Sequence, residues 1–252
     1  MSNDDSQVER SKEYYLSGGD LYLMAGSIIF RVHSFFFTRD SSVFRTFFNT
    51  AVPPGQTRAG STDSTPYVFD NTSPTDMNKF LWVFYNSTYS VYNAPTQDWI
   101  TILKIACEYS FREVKNFAIR QLEECNLSVV SRLTIYQLYK VDLLFILPLI
   151  YELCIRDEGP TDQETEEMGI KTSLIIFRIR ERLRAGANGP MSPVAAGTGE
   201  AEVMQAIYAV LGVDSSLLNA RGTVPIASPT SPNSGSGATG SIIATTHHKN
   251  GN

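Results

Sequence analysis

The sequence predicts an α+β fold in which short strands come first and helices follow. Apolar side chains alternate with other residues between Leu21 and Val32, which is the two-residue period of a strand. From Thr72 onward, apolar residues recur every three or four positions, which is the period of a helix. Strands grouped early and helices grouped late differ from the alternating order of a parallel α/β sheet. The expected architecture is therefore a small sheet with a cluster of helices.

The first predicted elements are a hairpin and two short helices. Leu21, Leu23 and Ala25 alternate as in a half-buried strand, and residues 28–32 predict the returning strand. Residues 34–38 fit one short helix. Ser41 and Ser42 then offer an N-cap for a second helix over residues 43–49.

A loop separates this unit from the next elements. Residues 53–66 contain three prolines and two glycines, which predicts an exposed, mobile loop. Residues 67–69 can add a third strand. Proline and an acidic residue within 72–76 predict the start of a helix that runs to about Tyr85. Two more helices are predicted between residues 96 and 122.

The chain after residue 127 is predicted to be helical up to about residue 211. Pro148 lacks the amide of a helical hydrogen bond, so we expect a kink or a break there. Leu174, Phe177 and Leu183 are predicted to form the core face of a later helix. The remaining predicted segments are helical residues 128–156, an acidic linker or short surface helix at 157–171, a loop at 185–199 and a last helix at 200–211.

Composition divides the chain into four segments. The polar N-terminus predicts a disordered leader, and the Ser, Thr, Gly and Pro of the C-terminal end cannot bury enough apolar surface to order it. The expected segments are the leader at 1–14, a domain at 15–125, a helical extension at 128–215 and a disordered tail at 222–252.

Charge and cysteine content bear on partners and compartment. A net charge of −5 disfavours nucleic acid as a partner, because binding to phosphates needs a concentrated basic face. Four arginines at 178, 180, 182 and 184 are spaced to spread around a helix rather than to form such a face. Cys107, Cys125 and Cys154 match neither a zinc site nor a disulfide framework, which indicates buried thiols in a reducing compartment.

No membrane or secretory segment is predicted. The N-terminus lacks the apolar core of a secretory signal. The longest apolar run covers residues 143–150, whereas a membrane-spanning helix needs roughly 20 apolar residues. We therefore expect an intracellular protein of the cytoplasm, the nucleus or both, without a membrane partner.

Catalytic, cofactor and metal motifs are missing from the sequence pattern. There is no G-x-S-x-G elbow or P-loop, residues 15–215 contain no G-x-G-x-x-G, and the acidic residues of 157–167 lack the spacing of a calcium loop. We expect His33 to be buried and satisfied by backbone or by Asp20, and Asp20 to cap the hairpin. The prediction is a protein that is not an enzyme and has no cofactor.

Three consecutive phenylalanines are the strongest candidate for an interface. Phe35, Phe36 and Phe37 fall on one short predicted helix, so they cannot all face a single core. At least one should point outward, and exposed apolar surface commonly marks an interaction site. The alternative is that a C-terminal helix of the same chain covers them.

The early segment resembles the BTB/POZ domain. The family pattern is an Asp at the first strand, F-x-x-H, a Ser eight residues after the His and a Phe three residues later. In this sequence the matching residues, in register, are Asp20, Phe30, His33, Ser41 and Phe44. The resemblance covers about residues 15–125 and implies a BTB/POZ-like fold of short strands with a cluster of helices, in which these five residues are structural. An all-helical C-terminal extension then follows, and the chain is similar in this respect to the BTB proteins of mushroom-forming fungi.

The resemblance implies a protein–protein interaction module that self-associates, as a homodimer, or assembles adaptors and scaffolds. Some members are substrate adaptors of cullin ubiquitin ligases, and others regulate transcription by recruiting corepressors. This chain departs from two family features. Ser34 stands where dimeric animal members often have a basic residue, and residues 86–97 lack the Glu of the family's cullin-binding element. Self-association or scaffold assembly is therefore the predicted function, with transcriptional regulation or cullin adaptor activity as the alternative.

Overall fold

The computed structural model describes residues 8–88, 91–184 and 198–214. These residues form four strands and nine helices. The strands are β1 (Glu9–Tyr15), β2 (Leu21–Ala25), β3 (Ile28–Val32) and β4 (Tyr67–Phe69). The helices are α1 (Ser34–Asp40), α2 (Ser42–Asn49), α3 (Pro74–Tyr85), α4 (Thr96–Glu108), α5 (Arg112–Glu124), α6 (Val129–Leu138), α7 (Leu143–Ile155), α8 (Asp162–Arg184) and α9 (Glu200–Leu211). The α+β prediction with a helical extension is confirmed. The predicted tail at 222–252 and most of the loop at 185–199 lie outside the described residues.

The sheet is small and mixed, with the strand order β1-β3-β2-β4. β2 and β3 form the predicted antiparallel hairpin, in which Leu23 pairs with Phe30. β1 runs parallel to β3, and β4 runs parallel to β2. Every second residue of β2, starting at Leu21, is fully buried, so one face of the sheet lies against the helices.

The edge strand β1 corrects the prediction of a disordered leader at 1–14. Residues 9–14 belong to β1, and only residues 1–7 of the leader lie outside the described residues. Ser11 and Tyr14 are its buried side chains, while the charged residues around them face solvent. Charged side chains on an edge strand oppose pairing with other chains. The same charged residues make the segment polar, which is why its composition predicted a disordered leader.

The loop at 53–66 is exposed, as predicted, but the structure ties it to the sheet. Gly60 accepts a hydrogen bond from the Tyr22 amide at 2.8 Å. Gly60 has a φ of +83°, and a Cβ there would lie 2.7 Å from the Leu21 side chain, so only glycine fits. Asp63 forms an ion pair with Arg10, and its carboxylate accepts a hydrogen bond from the β1 residue Tyr15 at 2.9 Å. The loop therefore holds β1 and β2 together.

An aromatic cluster fills the core between the sheet and helices α1 to α5. Its central member is Phe44 of α2, which is fully buried. The Phe44 ring lies 4.9 Å from the Phe37 ring and 6.0 Å from the Phe69 ring, measured between centroids. Phe111 contacts Phe37 at 5.4 Å and Phe80 at 5.0 Å. Residues from 37 to 111 thus meet in one cluster, and its offset and edge-to-face pairs add to the stabilisation from burial.

The helical extension is docked on α5. Arg132 of α6 donates to the Glu123 carboxylate at 3.1 Å and to the Cys125 carbonyl at 3.1 Å. The Tyr136 hydroxyl donates to the same carboxylate. Burial and the Glu123 hydrogen bond raise the pKa of Tyr136, so the hydroxyl keeps its proton for this contact.

Two features of the extension differ from the predictions. The predicted break at Pro148 does not occur, since α7 spans Leu143–Ile155, and Pro148 lies on its exposed side, where water can reach the carbonyl that lacks a donor. Leu174 and Phe177 were predicted to face the core, but they are 47% and 44% exposed. The helical path is interrupted at Gly169 (φ 79°), and the buried stripe of α8 beyond it is Ile176, Ile179 and Leu183.

Arg180 of α8 is buried. The sequence had predicted four arginines spread around this helix and did not indicate that one of them enters the core. Its side chain is 2% exposed. Its guanidinium donates to the carbonyls of Leu153 (3.1 Å), Cys154 (2.9 Å), Arg156 (2.7 Å) and Asp157 (3.0 Å). These carbonyls lie at the C-terminal end of α7, where the negative end of the helix dipole favours a cation. Arg180 therefore satisfies the C-terminal carbonyls of α7 from within the core.

Candidate protein-interaction surface

Helix α1 points its three phenylalanines in three directions. Successive residues of an α-helix are rotated by about 100° around the axis. Phe37 is fully buried in the aromatic cluster, Phe36 is half-buried and Phe35 is 61% exposed. The expectation that one of the three faces outward matches the position of Phe35.

Phe35, Phe36 and Arg39 form what we name the α1 surface. The Phe36 ring stacks on Phe84 with centroids 5.3 Å apart, and the Phe35 ring meets the Phe36 ring edge-on at 5.6 Å. The Arg39 guanidinium lies 5.3 Å from the centroids of both rings. Asp40 fixes Arg39 through hydrogen bonds of 2.7 and 2.6 Å. The result is a supported aromatic patch with a cation, a composition that is enriched in protein interfaces.

Asp20, the residue before β2, caps the N-terminus of α1 with its side chain. Asp20 accepts a hydrogen bond from the Ser34 amide at 2.7 Å and another from the Ser34 hydroxyl at 2.6 Å. Burial raises the pKa of Asp20, but these hydrogen bonds outweigh burial and lower the pKa overall. Asp20 thus caps α1, whereas the sequence had predicted a cap on the hairpin.

His33 is half-buried and contacts Tyr85 instead of the expected backbone group or Asp20. The His33 amide donates to the Tyr85 hydroxyl at 2.9 Å, and Nδ1 lies 3.1 Å from the same oxygen. The neighbouring Ser34 hydroxyl is bonded to Asp20, so these residues do not assemble a Ser–His–Asp relay. Tyr85 also contacts Phe36 at 5.4 Å, so His33 supports the α1 surface.

The other residues of the sequence pattern lie in the core. Phe30, Ser41 and Phe44 are fully buried. The Ser41 hydroxyl accepts from the Phe44 amide at 3.1 Å and donates to the Tyr109 carbonyl at 2.6 Å. Ser41 therefore caps α2, as predicted, and also ties it to the end of α4, which no local pattern indicates.

Sequence reasoning missed two residues that complete the α1 surface. Arg39 follows Phe35 by four residues and Phe36 by three, the spacing at which helical side chains meet, so the helix periodicity could have identified it. Tyr85 lies 52 residues from His33, and only the folded structure brings the two together.

The described residues hold neither a metal-ligand cluster nor a membrane-spanning helix. Across residues 8–88, 91–184 and 198–214, no three His, Cys, Asp or Glu side chains are grouped as metal ligands would be. No helix within these ranges has the length and apolar character needed to cross a membrane.

Comparison with known proteins gives one family match, in the N-terminal part of the chain. A search of curated proteins found no match. The family model of the BTB/POZ domain matches residues 12–126. This match begins within β1 and ends just after α5, so it contains the rest of the sheet, the aromatic cluster and the α1 surface. Residues 12–126 therefore match the BTB/POZ domain, a fold that generally mediates protein–protein interaction.

Proposed function

We propose that this protein is a non-enzymatic interaction module that binds a second copy of itself through the α1 surface. The observation that carries the proposal is that Phe35 is 61% exposed while its ring rests against Phe36, which packs on Phe84. Covering a phenylalanine side chain is worth about 1.5–3 kcal/mol. A two-fold dimer uses the same patch on both subunits, so each Phe35 contributes to the interface.

The rigidity of the patch supports this role. Asp20 and His33 hold the first residues of α1, and Phe84 and Tyr85 hold Phe36. A patch whose side chains are already ordered loses little conformational entropy when a partner covers it.

Light scattering after size-exclusion chromatography tests the proposal. We expect the wild-type chain to be dimeric and Phe35→Asp to be monomeric, because the substitution places a charge in the interface. The matched control is Ile170→Asp, which adds the same charge at a side chain that is 71% exposed on α8. A monomeric wild type, or dissociation by Ile170→Asp alone, would contradict the proposal. A monomeric wild type that captures another protein, and loses it on Phe35→Asp, would favour an adaptor role.

A further inference from the structure

A concave surface separate from the α1 surface lies between the α4–α5 turn and the end of α6. The groove measures about 800 Å³. Leu138, which is 67% exposed, gives the groove accessible apolar surface, whereas Ala106 and Phe111 lie beneath it and are fully buried. None of the residues of the α1 surface lines it. We name it the α4–α6 groove.

Positive charge dominates the α4–α6 groove. Lys104, Arg112, Lys115 and Lys140 line it, and Glu108 is the single carboxylate among the lining residues. This local excess contrasts with the net charge of −5 for the whole chain. Among the described residues, none of the three lysines has a carboxylate partner within ion-pair distance. The contact of Arg112 is a 3.9 Å approach to exposed Glu113.

Backbone carbonyls hold two of these lysines in place. The Lys104 ammonium donates to the Asn71 carbonyl at 3.0 Å, and the Lys115 ammonium donates to the Lys140 carbonyl at 3.2 Å. An ammonium group carries three donors, so each lysine has further protons for an acceptor in the groove. The charges are therefore positioned before any partner arrives.

Helix ends of both signs lie at the groove: the C-terminal ends of α4 and α6 are negative, and the N-terminal end of α5 is positive. The terminal carbonyls of α4 and α6 are occupied by their own turns, since the Phe111 amide bonds to the Ala106 carbonyl and the Val141 amide bonds to the Tyr136 carbonyl, each at 2.8 Å. The first turn of α5 also lines the groove, and no side chain caps it. Its N-terminal end favours negative charge.

Backbone strain is concentrated at the same place. Among the described residues, the non-glycine residues with positive φ are Ser110 (54°) and Lys140 (50°), and both line the groove. A side chain in this conformation costs about 1 kcal/mol, and glycine would avoid the cost. Ser110 and Lys140 follow the C-caps of α4 and α6, where a left-handed residue commonly ends a helix, so Lys140 adds a charge to the groove at a position that favours glycine.

We propose that the α4–α6 groove binds an acidic segment of a partner protein, with carboxylates facing the lysines and one apolar side chain against Leu138. This inference rests on the interaction role proposed above but not on self-association. A short acidic segment can end within the groove. A nucleic acid would continue past it over a surface with net negative charge, so the charge distribution favours a protein segment.

Fluorescence anisotropy with the full chain tests the groove. The probe is a fluorescein-labelled peptide of about eight residues, long enough to cross the groove when extended, with Asp and Glu on both sides of a central Leu. The matched peptide carries Asn and Gln in place of the acids. We expect the acidic peptide alone to bind, and its affinity to fall as the salt concentration rises from about 50 to about 300 mM.

Two double variants test whether the acidic peptide binds in the α4–α6 groove. We expect Lys104→Gln with Lys115→Gln to weaken the acidic peptide by about tenfold or more. The control is Lys12→Gln with Lys171→Gln, two exposed lysines outside the groove, which changes the net charge equally. Circular dichroism checks that both variants are folded, and Lys104→Gln alone gives a milder version of the test.

Several outcomes would overturn the inference: no binding of the acidic peptide at low salt, equal weakening by the control pair, or tighter binding of a duplex DNA probe that displaces the peptide. Phe35→Asp separates this inference from the proposed self-association. If the groove is independent, the monomeric variant binds the acidic peptide as the wild type does.

Discussion

Replacing Arg180 with Met should destabilise the protein more than the same replacement of an exposed arginine on α8. Met keeps much of the apolar stem but has no donor for the carbonyls at the end of α7. The guanidinium makes four hydrogen bonds in the wild type, and its side chain is 2% exposed.

The size of the loss in stability depends on which of the four carbonyls water can reach once the guanidinium is removed. The carbonyls of Leu153 and Cys154 are buried, and an unsatisfied buried acceptor costs about 1–3 kcal/mol. Those of Arg156 and Asp157 are partly exposed, so water can replace the guanidinium there. Removing a buried charge regains some desolvation energy, which offsets part of the loss. We expect the free energy of unfolding to fall by about 3 kcal/mol.

Urea denaturation followed by circular dichroism measures this difference. Arg178→Met is the matched control, because Arg178 is exposed on the same helix and its loss should change stability by less than about 0.5 kcal/mol. Arg180→Lys should be intermediate, since a lysine keeps the charge but lacks the planar fork of donors. If Arg180→Met is as stable as Arg178→Met, the conclusion that Arg180 stabilises the C-terminal end of α7 is refuted.

Three further outcomes are expected. Ser41→Ala should lower the free energy of unfolding by about 2 kcal/mol in urea, because α2 loses its cap and the buried Tyr109 carbonyl loses its donor; an unchanged midpoint would contradict this. Lys140→Gly should raise stability by about 1 kcal/mol while weakening the acidic peptide, and a loss of stability would argue against strain at Lys140. A hydrogen bond from Arg156 lowers the pKa of Glu164 from 4.5 to about 2. Its contribution is therefore complete above about pH 4.5 and lost as the pH falls to about 2, and melting temperatures of Glu164→Gln should show a smaller decrease over that window.

Much of the N-terminal fold could be predicted from the sequence, because its signals are local. The hairpin strands occupy the predicted residues, and Ser41 caps the predicted helix. Alternation and capping each depend on a few consecutive residues, so they survive without knowledge of the tertiary contacts. Phe35 belongs to the same class, since helix geometry alone requires one of three adjacent phenylalanines to face outward.

The remainder depends on contacts between distant residues. β1 has the charged composition of a leader, and only its pairing with β3 makes it a strand. In α8, Leu174 and Phe177 compete with Ile176 and Ile179 as an apolar stripe, and packing against the other helices decides which is buried. The α4–α6 groove joins segments from residue 42 to residue 140, so no local pattern indicates it.

The aromatic cluster has a consequence for the order in which the chain can fold during synthesis. Phe44 meets Phe111 only after 67 further residues have been made, and the Ser41 hydroxyl reaches the Tyr109 carbonyl only after 68. Until then Phe37, Phe44 and their neighbours have no complete core to enter. Long-range contacts of this kind slow folding and leave apolar surface exposed in the interval. A nascent chain that stops short of α5 is therefore expected to bind chaperones or aggregate.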